Sequence, residues 1–165
     1  AVFKRVPRSG GNEFSGSAEI YYTGKSLTGS NTSSSDLSAT IEEHAEAAFQ
    51  AGGPIQKDKV WYFLSAQYVR DLASEGGPIQ TETDPRLFGK ITWQVNPTNT
   101  FQGWLEWDHT KVTGRNGDAF TPLIATSSED NPELVWNLSW RSILSGSSIL
   151  KPRNSNSPGA SRPII

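Results

Sequence analysis

Taken two residues at a time, six segments of the chain separate into an apolar and a polar set, as the pleat of a β-strand requires. In FSGSAEIYY the apolar set is Phe14, Gly16, Ala18, Ile20 and Tyr22, with Ser15, Ser17 and Glu19 between them. HAEAAFQA sets Ala45, Ala47, Phe49 and Ala51 against His44, Glu46, Ala48 and Gln50. KVWYFLSAQY has Val60, Tyr62, Leu64, Ala66 and Tyr68 on one side; the other begins with Trp61 and Phe63 and turns polar at Ser65 and Gln67. LFGKITWQV opposes Leu87, Gly89, Ile91, Trp93 and Val95 to Lys90, Thr92 and Gln94. FQGWLEWDH opposes Phe101, Gly103, Leu105 and Trp107 to Gln102, Glu106 and Asp108, and LVWNLSWR opposes Leu134, Trp136, Leu138 and Trp140 to Asn137, Ser139 and Arg141. A seventh strand is expected from Ser148. Ile41 to Gln50 is the best helical candidate, and it also alternates as a strand. The expected fold is therefore all-β, an antiparallel up-and-down meander of about six to seven strands.

The connections alternate too. Short turns are expected at GGPIQKD (52–58), NPTNT (96–100) and LSGSS (144–148), which carry the Gly, Pro, Asn and Ser that tight turns use. Longer polar connections are expected at 23–43, 71–85 and about 110–132. Short turns at one end, long loops at the other and strands with one apolar face form the pattern of an outer-membrane β-barrel. Aromatic residues fit the girdles of such a barrel: Trp61, Tyr62, Phe63, Tyr68, Trp93, Phe101, Trp104, Trp107, Trp136 and Trp140 lie within or at the ends of the strands. The polar set, Glu19, Glu46, Lys90, Glu106, Asp108 and Arg141, then faces a wet lumen. GGPIQ occurs at 52–56 and again at 76–80, but strands of different pattern follow the two copies, so no repeat unit is read.

Composition narrows the alternatives. Hydrophobic residues make up 35% of 165, so the apolar material has to be concentrated in short segments. The net charge is −2 with no basic stripe, which removes the electrostatic footprint of a nucleic-acid binder. With no cysteine, disulfides, thiolate catalysis and cysteine-ligated zinc are excluded. No run is long and apolar enough for a membrane-spanning helix.

Three stretches carry a family likeness. VPRSGGNEFSGS (6–17), GGPIQKDKVWYFLSAQY (52–68) and GKITWQVNPTNTF (89–101) resemble, in order and spacing, the first barrel strands of TonB-dependent outer-membrane receptors, particularly the carboxypeptidase-regulatory-like, Oar-like branch. The resemblance spans roughly residues 5 to 150. It implies that residues 1–11 end a plug domain, that 12–150 are barrel strands and loops, and that 151–165 form a disordered or non-native tail. It also implies outer-membrane lipid and the TonB system as partners, a Gram-negative outer membrane as location, uptake of an unknown small ligand by the parent protein, and no cofactor. The family's barrel has about 22 strands around a plugged lumen, of which this chain supplies six or seven.

A soluble alternative uses the same pattern inside out. The strands would close into a small barrel with apolar faces inward and Glu19, Lys90, Glu106, Asp108 and Arg141 outward, and the activity would be ligand binding or hydrolysis. Its chemistry would rest on His44 in EEHAE and His109 in EWDH, each beside carboxylates, or on Glu106 with Asp108, two residues apart on one strand face. No serine is marked by a G-x-S-x-G elbow, and the serines gather in loops. SSEDNPE and GRNGD offer oxygen ligands without EF-hand spacing, so no metal site is expected. A third possibility is a module that self-associates through unpaired sheet edges.

Overall fold

Backbone pairing in the computed structural model follows the alternation closely. Residues 8–27, 29, 40–74, 76–145, 148–150 and 153–156 are described. Six long antiparallel strands run up and down in chain order: β1 (Ser15–Gly24), β2 (Thr40–Gln56), β3 (Val60–Ser74), β4 (Gln80–Asn96), β5 (Asn99–Arg115) and β6 (Ser127–Ser145). Two short strands complete the sheet. β7 (Ser148–Leu150) pairs with Ser142–Ser145, and β8 (Arg153–Asn156) returns to pair with Trp136–Ser139, both on β6. Among the described residues helix is confined to two single turns of 3₁₀ type at Lys25–Leu27 and Leu123–Ala125. The expected seventh strand at Ser148 is present, and Ile41 to Gln50 is strand rather than helix.

The strands are long. β2 to β6 run for 15 to 19 residues, against the ~3–10 usual in globular proteins. They exceed the apolar segments because pairing continues where alternation stops. Residues 71–85, expected as a long loop, are mostly sheet: Asp71 pairs with Glu82 and Arg70 with Thr83, leaving only 75–79 between β3 and β4. Both faces are polar at that level, so no period-two signal marks the strands. The 110–132 connection shrinks for the same reason to residues 116–126. Part of the expected 23–43 loop lies outside the described residues, as does much of the 151–165 tail.

Turns at the other end are tight. The β2–β3 connection is Lys57–Lys59, closed by Lys59 N–H donating to Gln56 C=O, with Asp58 at φ 61°. GGPIQ at 52–56, expected as turn, is the end of β2, whereas in its second copy at 76–80 Gly76 takes φ 81° within the β3–β4 connection. In the first copy the glycines permit a close crossing: a Cβ on Gly53 would stand 2.3 Å from the Phe14 ring. Asn96 organises the β4–β5 turn. Its Oδ1 accepts from the N–H groups of Thr98 and Asn99 and from both of their side chains.

The sheet is open. Among the described residues β1 pairs only with β2, so the small closed barrel of the soluble alternative is not the arrangement adopted. Nor is there an apolar interior: among the described residues the buried hydrophobic core is Val112 alone.

Candidate functional site

Register assigns every side chain to one of two faces, since directly opposed residues in an antiparallel pair point the same way. On the apolar face the rows cross the sheet unbroken. Nearest the tight turns stand Val60, Trp93, Phe101 and Trp140; two rows further lie Leu64, Gly89, Leu105 and Trp136, and then Ala66, Leu87, Trp107 and Leu134. Beyond these come Tyr68 and Pro85, with His109 opposite Pro132, and after them the charged row of Arg70, Thr83, Lys111 and Asp130. The first row is a run of rings: Trp93 and Phe101 lie 6.0 Å apart, and Phe101 stacks on Trp140 at 5.9 Å and 9°. Leu64, Ile91, Leu105 and Leu138, in the rows that also carry Tyr62 and Trp136, keep 46–59% of their surface exposed.

The other face gathers the polar set. Glu19, Glu46, Lys90, Glu106, Asp108 and Arg141 all fall on it by register. Of the ten aromatics expected in girdles, seven lie on the apolar face. Trp61 does not: it pairs with Thr92 on the polar face, where its Nε1–H donates to Asn12 Oδ1 at 2.7 Å. Trp61 directly precedes Tyr62, and adjacent residues of a strand point to opposite sides.

The same rule separates the proposed His109–Asp108 pair. His109 lies on the apolar face, its Nε2 2.5 Å from Asp130 Oδ1 and its ring edge-on to Trp107. Asp108 lies on the polar face between Arg86 and Glu133. His44 is also on the polar face, with Nδ1 2.5 Å from Asp71 Oδ1 and Nε2 3.9 Å from Glu46 Oε2. Among the described residues the hydrogen-bond partners shown for the two histidines are carboxylates, not serine hydroxyls. Glu106 and Asp108 do share a face, as their spacing requires. Among the described residues no cluster of His, Asp and Glu side chains is arranged to hold a metal.

The polar face has two further features. Residues 8–12 cross it as a strap: Arg8 Nη1 donates to Gln50 at 2.9 Å, Lys90 Nζ donates to Ser9 Oγ at 2.7 Å, and Asn12 holds the β2–β3 turn through Asp58. Beside the strap lies a basin of about 620 Å³. Its floor is a row of three rings from three successive strands, with Phe63 6.1 Å from Phe88 and Phe88 6.0 Å from Trp104. Its wall bears Glu106, Asp108 and Glu133 together with Arg8 and Arg86. Phe63 and Trp104, expected from the sequence among the girdle aromatics, fall instead on the polar face, and Phe88, Arg86 and Glu133 were not singled out. A signal was available, because rings interrupt the polar set in all three strands: Trp61 and Phe63 in β3, Phe88 in β4 and Trp104 in β5.

Comparison with family models, curated proteins and solved structures returns no match for this chain.

Proposed function

We propose that the chain is a set of N-terminal barrel strands from a TonB-dependent outer-membrane receptor, with its apolar face toward lipid and its polar face toward the lumen. One observation carries this reading: the apolar face runs without a charge from the row of rings at Trp93, Phe101 and Trp140, through rows in which aliphatic side chains stand beside Tyr62 and Trp136, to Trp107 and Tyr68, and only then meets charges. Trp93 to Pro85 is nine residues of one strand, against the ~9–11 with which a tilted barrel strand crosses a bilayer. A lipid-facing apolar band between aromatic girdles is ~25 Å tall. In water this surface would be unfavourable, since each half-exposed leucine forgoes roughly half of the ~1.5–3 kcal/mol that full burial gives.

The strap supports the same orientation. A plug domain preceding the strands would deliver its last residues to the lumen side, and residues 8–12 lie on the polar face. The 116–126 connection, at the end away from the tight turns, would face outward and take part in substrate capture by the parent receptor.

Depth-resolved quenching tests the reading. Single-tryptophan versions of the chain are folded into bilayers containing brominated lipids. Trp93, Trp107, Trp136 and Trp140 should be quenched strongly, Trp61 and Trp104 weakly. Equal quenching of both sets, or none, would remove the lipid-facing assignment.

Self-association is favoured by a separate observation. The edge of β1 away from β2, and the edge of β6 away from β5 along Ser127–Val135, have no strand partner among the described residues, and unpaired edges recruit other strands. Light scattering in detergent over a range of concentrations measures it, and a constant monomer mass would exclude it.

A further inference from the structure

We infer that the polar-face basin between β3 and β6 binds a neutral oligosaccharide of flat sugar rings. This rests on the reading above and names a substrate class for the lumen face. Three observations converge. Size comes first: about 620 Å³ lies within the ~300–1,000 Å³ of small-ligand sites and exceeds what a single sugar ring fills.

The second observation is the floor. Register places Phe63 and Trp104 in one rank on either side of Lys90, and Phe88 in the next, opposite Ser65 and Glu106. Phe88 lies 6.1 Å from Phe63 and 6.0 Å from Trp104, tilted by 58° and 33°, so the three rings make an angled platform rather than a stack. All three are half-buried and line the basin. The carbon–hydrogen face of a sugar ring packs on such a platform through dispersion and through the attraction of its polarised hydrogens to the negative ring face. An extended peptide has no ladder to join, because at this level the backbones of β3, β4, β5 and β6 pair with one another.

The third observation is the rank that edges the floor. Gln67, Arg86, Asp108 and Glu133 stand in register across β3 to β6: an amide, a guanidinium and two carboxylates, all planar forks. Acid and base are neighbours in it. Arg86 lies opposite Asp108 and is attracted by Glu106 as well as by Asp84, to which it is hydrogen-bonded. The wall thus sets donors beside acceptors without presenting one sign of charge. Arg86 stays within reach of a ligand, since its side chain is 50% exposed and the bond to Asp84 leaves other N–H donors of the guanidinium. A hydroxyl both donates and accepts, so adjacent sugar hydroxyls answer either kind of fork, and hydrogen bonds to charged groups are the stronger ones. A charged ligand of either sign would be repelled by one member of each acid–base pair.

Calorimetric titration of the full chain in a polyoxyethylene detergent, which has no sugar headgroup, tests the assignment with cellotriose as probe. Sorbitol supplies hydroxyls without a ring face, trigalacturonate and the trimer of glucosamine supply sugar rings with negative and positive charge, and N-acetyl-phenylalanyl-serine amide supplies a neutral peptide. Cellotriose should bind at least fivefold more tightly than each of these. Trp104→Leu should weaken it at least fivefold and Trp104→Phe, which keeps a ring, no more than twofold, while Glu13→Gln, at an exposed position outside the basin, should leave it unchanged. If Trp104→Leu loses its β-sheet circular dichroism, Phe88→Leu is used, with a threefold or greater loss expected. A comparison compound that binds within fivefold of cellotriose, no binding of cellotriose, or unchanged binding by the folded leucine variant would overturn the site. Brominated-lipid quenching of the chain in bilayers shows separately whether the apolar face meets lipid, so the two readings can fail independently.

Discussion

Lys90 Nζ donates to Ser9 Oγ at 2.7 Å, joining two residues 81 positions apart and fastening the strap to the middle of the polar face. Lys90 is 6% exposed, so the strap and the sheet bury a charged side chain between them.

Displacing the strap should be possible with one methylated backbone position. A Cβ on Gly10 would stand 2.1 Å from the Tyr62 carbonyl oxygen, which is backbone and cannot turn aside. Gly10→Val should therefore lift residues 8–12 and raise the rate of tryptic cleavage after Arg8 several-fold, with the sheet's circular dichroism unchanged. Cleavage at the wild-type rate would mean that the strap does not depend on this approach.

The β4–β5 turn should depend on a single oxygen. Asn96 Oδ1 gathers four donors from Thr98 and Asn99, and losing a shared acceptor of this kind costs about 1–2 kcal/mol. Asn96→Ala should show that loss in denaturant titration of the detergent-folded chain. Asn96→Asp keeps the acceptor and should recover at least half of it.

Opposite faces should respond oppositely to the same charge. Leu105→Arg lies mid-band on the apolar face, where a lipid-facing arginine costs about 2–4 kcal/mol. Gln102→Arg, on the polar face opposite Thr92 and Ser139, should change folding by under about 1 kcal/mol. Equilibrium folding into lipid vesicles compares the two, and similar losses would contradict the assignment of faces.

Acid should loosen the 116–126 connection first at Asp118. Hydrogen bonds from the Thr121 hydroxyl and the Phe120 N–H hold its carboxyl below the usual carboxylate range. A depressed folded value means that the stabilisation is fully present above the unfolded carboxylate value of about 3.9 and is lost as pH falls through the folded value. The Phe120 amide resonance, followed by NMR from neutral pH downward, should move only below the ordinary Asp range. In Asp118→Asn that step should be absent.

How far the fold can be read from the sequence depends on whether the two faces of a strand differ. At Leu105 and Glu106 they do, and the pattern defines strand, face and neighbour. At Arg70 and Asp71, or Lys111 and Val112, the backbone still pairs, but the faces no longer contrast consistently, so a periodicity reading ends the strands too early. GGPIQ shows a different limit: the same five residues end a strand at 52–56 and begin with a positive-φ glycine at 76, because Phe14 and the strap press on the first copy and not on the second. The basin was hidden for a related reason. Phe63, Phe88 and Trp104 meet only once three strands are in register, and each alone looks like a misplaced ring. Trp61 shows how proximity in sequence misleads, since it adjoins an apolar-face tyrosine yet bonds to Asn12.

When an ordinary domain unfolds, apolar groups pass from a dry interior into water, and that transfer gives the transition its positive heat-capacity change. Here Val112 alone forms the buried hydrophobic core among the described residues, so in aqueous buffer there is little left to hydrate. The sheet's calorimetric signature should therefore belong to its surroundings: nearly featureless in water, and in a bilayer governed by the transfer of Trp93, Leu105 and their neighbours out of the hydrocarbon.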